Sequence, residues 1–206
     1  MAYQRKDPFY ARAKAAGYRS RAAYKLLELA RRYRLIERGD HLVDLGAWPG
    51  GWLQVAAELS GPSGVVVGVD LQPIDALGGG VSTIVGDARE EAVQEQLRAR
   101  CRGRVDVVLS DMAPKLSGIR DRDTARAVEL AESGLAIADR LLAPGGRLLL
   151  KLFTAPEIDA VVNAARDRFE SVKRTHTEAT RKGSAEQYLV CVGFRGRPVP
   201  SSQQSP

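Results

Sequence analysis

Asp44-Leu45-Gly46-Ala47-Trp48-Pro49-Gly50-Gly51-Trp52 follows the apolar run His41–Leu45 and leads straight into an amphipathic stretch over 51–60. The order predicts a strand, a glycine turn and a helix, which is where a doubly wound sheet approaches a nucleotide. Glycines serve there because a side chain would hold a ligand off the backbone, and the free N–H groups of the following helix favour an anionic group. A dinucleotide site would read G-x-G-x-x-G and a P-loop G-x-x-x-x-G-K-[ST]. The spacing from Gly46 is instead G-x-x-x-G-G, with Pro49 inside and no lysine, and neither template fits.

Outward from this turn, short apolar runs ending in Gly or Asp alternate with amphipathic stretches, the pattern of βα units around a parallel sheet. The runs predict strands near 41–45, 65–70, 82–86, 105–110, 146–152, 171–176 and 187–194, and helices near 20–34, 51–60, 89–101, 122–143 and 156–168. Pro144-Gly145-Gly146 stops the long fourth helix and Gly61-Pro62 the second. The expected class is α/β, a Rossmann-like, mostly parallel seven-stranded sheet with helices on both faces. One domain over 40–194 carries it, preceded by a basic arm and helix over 1–39. The stretch 195–206, rich in Pro, Ser and Gln, is expected to be a disordered tail.

Charge is distributed unevenly. Of the net +6, residues 1–39 supply +8, from eleven Lys or Arg against Asp7, Glu28 and Glu37, so the remainder of the chain is −2. Tyr3, Phe9, Tyr10, Tyr18, Tyr24 and Tyr33 lie among these cations. Cations interleaved with aromatic faces suit polyphosphate and unpaired bases, while the alternative is a solvated helix whose aromatics pack on the domain. Two cysteines, Cys101 and Cys191, and two histidines are too few and too scattered for a disulfide framework or a zinc site, so no metal is expected. No apolar run approaches the ~20 residues of a membrane span, and the N-terminus has no apolar h-region. A cytoplasmic protein without membrane attachment is expected.

Two acids follow the glycine turn in series. Asp70 ends the second strand, where a nucleotide site places an acid on the ribose hydroxyls, and Asp87 after the third could accept from an adenine amino group. With the glycine loop that begins at Gly46 they outline a pocket for an adenosine bearing a carboxylate instead of a pyrophosphate, as in S-adenosylmethionine. Further on, Asp111 closes the fourth strand in Ser110-Asp111-Met112-Ala113-Pro114, and Lys151 interrupts the apolar fifth strand, Leu148–Phe153. A lysine in such a strand is costly unless it is paired or reaches an open edge. An acid on the neighbouring strand would account for it, as a structural ion pair or as chemistry.

These segments together resemble the FtsJ/RrmJ-type large-subunit ribosomal RNA 2′-O-methyltransferase E family. Arg19–Leu26 (RSRAAYKL) is similar to its N-terminal motif, Asp44–Trp52 to its cofactor loop, and Ser110–Pro114 and Leu148–Phe153 to its fourth- and fifth-strand motifs. Lys182–Tyr188 (KGSAEQY) is similar to the segment carrying its last glutamate. The resemblance implies an S-adenosylmethionine-dependent methyltransferase fold, a Lys-Asp-Lys-Glu tetrad of Lys25, Asp111, Lys151 and Glu186, and cofactor contacts at Gly50, Trp52, Asp70, Asp87 and Asp111. It implies 2′-O-methylation of a uridine in the A loop of 23S rRNA, in the assembled or nearly assembled large subunit. A monomer is expected. Trp48, bulky where small residues are common, and Lys115, where a polar residue such as Asn is expected, depart from the pattern.

A ribose hydroxyl must lose its proton as it attacks a sulfonium methyl in line. Lys151 is the expected centre, taking the proton as a neutral amine or stabilising the developing alkoxide as an ammonium. Asp111 would position it and face the cofactor, while Lys25 and Glu186 would hold the ribose and tune it. Three rivals stand beside this reading: a small-molecule O-methyltransferase, a non-catalytic ribosome-assembly RNA-binding factor, and a 2′-O-methyltransferase acting on transfer RNA or cap RNA.

Overall fold

The computed structural model describes residues 8–115, 117–180 and 183–196. The first seven residues, Lys182 of the last motif and, of the tail expected over 195–206, all but Arg195 and Gly196 lie outside them. Seven strands form one sheet in the order β3-β2-β1-β4-β5-β7-β6. These are β1 (His41–Leu45), β2 (Val65–Asp70), β3 (Val81–Val85), β4 (Val107–Ser110), β5 (Arg147–Phe153), β6 (Phe169–Thr175) and β7 (Glu186–Phe194). All pairs from β3 to β5 are parallel, and β7 runs antiparallel between β5 and β6. The expected mostly parallel sheet is observed, with strand ends within a residue or two of those read from the sequence.

The central strands are covered on both sides, which explains their nearly unbroken apolar runs. Helices α4 (Glu91–Arg100), α5 (Arg120–Leu141) and α6 (Ile158–Arg166) pack one face through Val93, Leu97, Leu135, Ile137, Val161 and Val162, onto Val43, Val67, Val108, Leu148 and Leu150. Helices α2 (Ala23–Tyr33) and α3 (Gly51–Ser60) cover the other through Leu26, Leu29, Leu53 and Val55, onto Leu42, Val66, Leu109 and Leu149. Period-two alternation along β5 therefore sends Leu148, Leu150 and Leu152 to one face and Leu149 and Lys151 to the other.

The N-terminal segment differs from expectation in two ways. A short helix α1 (Pro8–Ala15) precedes α2, and it escaped notice because it buries only Ala13 and so shows no amphipathic stripe. The helix read as 20–34 begins at Ala23, because residues 17–20 are drawn onto α3 instead: Gly17 adopts φ +77, Arg19 N–H donates to Gln54, and Gln54 donates back to the Gly17 carbonyl. Five residues of α2, Lys25 among them, are buried, so this half of the basic segment is part of the fold.

Candidate active site

The parallel strands all end on one edge, at Leu45, Asp70, Val85, Ser110 and Phe153. Because β7 is antiparallel, its first residue lies on the same edge, and the register sets Glu186 opposite Phe153 and Tyr188 opposite Lys151. Ser110 pairs with Leu150, so Asp111 and Lys151 emerge side by side. Lys25, on the buried face of α2, reaches Glu186 at this edge. The topology thus brings together four residues that are up to 161 positions apart in the chain.

Their side chains form one connected cluster. Lys25 Nζ lies 2.5 Å from Glu186 Oε1, while Lys151 Nζ lies 3.2 Å from Asp111 Oδ1 and 3.4 Å from Glu186 Oε2. Exposure of these side chains is only 8% for Lys25, 9% for Glu186 and 10% for Lys151, against 21% for Asp111, so the cluster opens on the Asp111 side. Two ammoniums and two carboxylates balance in charge, which is what makes the burial tolerable.

Burial alone would push Lys151 down, but Asp111 and Glu186 outweigh it and hold the amine above its ordinary value. For Glu186 burial acts to raise the carboxyl, and Lys151 and Lys25 more than reverse it, leaving it below the ordinary range. Lys151 is therefore an ammonium at neutral pH. An ammonium has three donors, and two carboxylate partners leave one for a further oxygen.

Tyr188 underlies the cluster. Its hydroxyl stands 3.0 Å from Glu186 Oε1 and 3.3 Å from Asp111 Oδ1, so its single proton is donated to the nearer Glu186 or shared between the two carboxylates. Burial first, then these carboxylates, push the phenol well above its ordinary value. Thr180 adds a donor to Glu186 Oε1 at 3.2 Å. Neither was singled out in the sequence, although Tyr188 stands two residues from Glu186 on the same strand face.

The glycine turn lies across the ends of β1 and β4. Gly46 has φ +75, and a Cβ there would meet the Met112 side chain at 3.0 Å and its backbone at 3.2 Å, so any other residue would be strained and would press on Met112. Gly50, at φ +108, precedes α3, whose first N–H groups have no intrahelical acceptor. The Trp52 side chain is committed to the core: its indole N–H donates to the Ala22 carbonyl at 2.8 Å and its ring stands 6.1 Å from that of Tyr188. Trp52 can offer a ligand at the turn its backbone rather than its ring.

Asp70 accepts from the Trp48 N–H at 3.0 Å and the Gln72 N–H at 2.9 Å, which fixes the turn against β2. Asp87 is held by the Arg89 guanidinium at 2.7 Å, which with a backbone bond depresses its carboxyl. The Trp48 indole is exposed, as is Lys115.

Two further residues of this region went unread in the sequence. Asp44 is 1% exposed, and neither carboxylate oxygen has a hydrogen-bond partner among the described residues. Burial, then Asp111 and Asp70, push its carboxyl well above the ordinary value. The signal was present, an acid inside an apolar strand, the same anomaly that marked Lys151. Arg19 spans two loops, donating to the carbonyls of Pro49 (3.3 Å), Asp75 (2.7 Å) and Ala76 (2.9 Å). Among the described residues no group of His, Cys, Asp and Glu is arranged to hold a metal ion, and no helix is long and apolar enough to cross a membrane.

Comparison with known proteins shows the family of the chain. The chain is 47% identical over 203 residues to a ribosomal RNA large subunit methyltransferase E of Methanothrix thermoacetophila, covering 98% of this chain and 78% of that one. Proteins of the same name from Methanoculleus marisnigri (48% identity, 93% of each chain) and Pseudomonas fluorescens (42%, 93% and 91%) are also similar. A crystal structure from Plasmodium falciparum, described as a ribosomal RNA methyltransferase, superposes with a TM-score of 0.77 at 28% identity, covering 87% of this chain and all of that one. The sequence profile of the FtsJ-like methyltransferases matches residues 18–194, taking in every tetrad position, and the chain belongs to that family.

Proposed function

We propose that this protein transfers a methyl group from S-adenosylmethionine to the 2′-hydroxyl of a ribose in large-subunit ribosomal RNA. The observation that carries the reading is the buried Lys25–Glu186–Lys151–Asp111 cluster, open at the carboxyl edge of the sheet beside a glycine turn. The names of its relatives favour ribosomal RNA over transfer RNA or a cap. The finer target, a uridine of the A loop in an assembled or nearly assembled subunit, comes with the family resemblance, and action as a monomer in the cytoplasm completes the proposal.

The residues of the turn fit the cofactor. Gly46 and Gly50 give the turn its left-handed backbone, the start of α3 suits the carboxylate of an amino acid, and Asp70 and Asp87 would accept from hydroxyl and amino donors. Asp44 beneath the turn is an orphaned carboxyl whose ionisation a cationic group above would reward. S-adenosylmethionine would supply an electrophilic methyl on a sulfonium. Arg89 now occupies Asp87, so a ligand there would have to share or displace the guanidinium.

The protein's own part is positioning and charge. With its amine held as an ammonium, Lys151 would donate its remaining N–H to the ribose oxygen and steady the negative charge that grows there as the hydroxyl proton passes to solvent water and the methyl leaves the sulfonium, which becomes a neutral thioether. For Nζ itself to accept that proton it would first have to shed one, against the pull of both carboxylates. Asp111 and Glu186 fix the ammonium, and Lys25 and Tyr188 fix Glu186.

The test is incubation with methyl-labelled S-adenosylmethionine and, in parallel, large ribosomal subunits lacking the modification, transfer RNA and a catechol. Label in the large-subunit RNA supports the proposal. Label in transfer RNA or the catechol, with none in the subunit, overturns it, and binding to subunits without any transfer would favour an assembly factor.

A further inference from the structure

On the outer side of α2 a second cleft, of about 690 Å³, opens between α1, α2 and the loop after β6. Its centre is Tyr24. The Tyr18 ring meets Tyr24 edge-on at 5.7 Å, Phe9 lies at 6.0 Å, and the Arg12 guanidinium stands over the Tyr24 ring at 4.7 Å. Arg31 and Arg32 form the wall along α2.

The charges are not equivalent. Arg32 is paired with Glu28 at 2.6 Å, and the other Glu28 oxygen accepts the Glu178 N–H, so that carboxylate is already satisfied. Glu178 itself is exposed at the rim. Arg12 and Arg31 have no ion pair among the described residues, which leaves two guanidiniums beside an aromatic ring without an internal anion. An aromatic face flanked by unpaired guanidiniums matches one nucleotide of single-stranded nucleic acid: the base has a π-face, the phosphate a charge.

Position connects the cleft to the tetrad. Tyr24 directly precedes Lys25 on α2, and Ala179 lines the cleft while its neighbour Thr180 bonds Glu186. One helix and one loop thus separate the two sites. We propose that the cleft binds an unpaired nucleotide flanking the target, with its base against Tyr24 and its phosphate between Arg12 and Arg31. The proposal rests on the RNA reading of the tetrad and adds to it where the neighbouring strand runs.

The test uses the full chain and a fluorescent unstructured oligoribonucleotide, with dissociation constants read by anisotropy over a range of salt. Tyr24→Phe keeps the ring and should bind within twofold of wild type. Tyr24→Leu removes it and should weaken binding about 5- to 150-fold, with an unchanged salt slope. Arg31→Gln, a change on an exposed helix position, should reduce the slope of log affinity against log salt by about 0.7, one phosphate contact on a single strand. If Tyr24→Leu also loses cofactor affinity, and so has disturbed the fold, the Arg31→Gln slope decides.

Unchanged slope in Arg31→Gln together with unchanged affinity in Tyr24→Leu overturns the cleft. If the wild-type enzyme still labels large-subunit RNA in that case, the reading of the tetrad stands without it. If the wild-type protein binds the oligonucleotide but labels no RNA, the tetrad reading falls, and the cleft's place beside a target ribose falls with it.

Discussion

Glu186→Gln conserves volume and keeps an oxygen for Lys25, Tyr188 and Thr180, but removes the charge that faces both ammoniums. Lys151 would retain Asp111 at 3.2 Å, whereas Lys25, whose side chain is 8% exposed, has no other carboxylate partner among the described residues. Removing one member of a buried pair costs about 3–5 kcal/mol, because the other charge is left uncompensated. The amide oxygen still accepts from Lys25, so the lower end, about 3 kcal/mol, is expected. For a chain of this size that corresponds to a fall in Tm of roughly 6–12 °C. Urea unfolding followed by tryptophan fluorescence suits the measurement, since Trp52 packs against Tyr188. The double variant Lys25→Met/Glu186→Gln should recover part of the loss, because it leaves no orphaned ammonium. The pH dependence has a definite sign. The Glu186 carboxyl is depressed in the fold, so its contribution is present above the ordinary value of 4.5 and is lost as pH falls through the folded value. The gap between wild type and Glu186→Gln should therefore close at acid pH. A variant within about 1 kcal/mol of wild type at pH 7 would refute the claim that this carboxylate compensates a buried charge.

Other expectations concern single residues. Lys151→Ala should lower methyl transfer by about 10²- to 10⁴-fold while leaving cofactor affinity near wild type, and Lys151→Arg, which keeps the cation but cannot act as a base, should retain more activity than Lys151→Ala. Equal losses in the two, measured by label incorporation, would count against the ammonium role. Asp44 has a raised carboxyl, so the folded state holds a proton that the unfolded chain releases, and the associated stability is present below the ordinary value of 3.8 and lost as pH rises above it. Asp44→Asn should gain on wild type in unfolding free energy as pH rises above the ordinary value of 3.8, and a difference that stays constant there would contradict the orphaned carboxyl. Arg19→Lys cannot span three carbonyls on two loops and should weaken S-adenosylmethionine binding in calorimetry, with an unchanged affinity showing that the loops hold themselves.

Much of this architecture was legible because the decisive signals are local. A strand, a glycine turn and a helix are contiguous at 41–60, and each βα unit repeats the same rhythm. The insertion of antiparallel β7 between β5 and β6 is a matter of tertiary pairing and has no local mark, yet it is what delivers Glu186 to the carboxyl edge. Helix α1 buries too little to announce itself. At the site, Lys151 was visible as a charge inside an apolar strand, and Lys25, Asp111 and Glu186 through their motifs. Tyr188 and Arg19 were not, since a tyrosine in a strand and an arginine in a basic segment are ordinary until their acceptors, far off in the chain, are known. The sequence also suggested Trp52 as a cofactor contact without revealing that its ring serves the core.

The central claim, methyl transfer to a ribose 2′-oxygen governed by Lys151, is tested most directly by where the label sits. Alkaline cleavage of RNA requires a free 2′-hydroxyl, so RNA labelled by the wild-type enzyme in large subunits should, after complete alkaline hydrolysis, release its label in an alkali-stable dinucleotide. Lys151→Ala should yield almost none. Label recovered in a mononucleotide would mean that a base was methylated, and undiminished labelling by Lys151→Ala would mean that the cluster does not drive the reaction; either result contradicts the account.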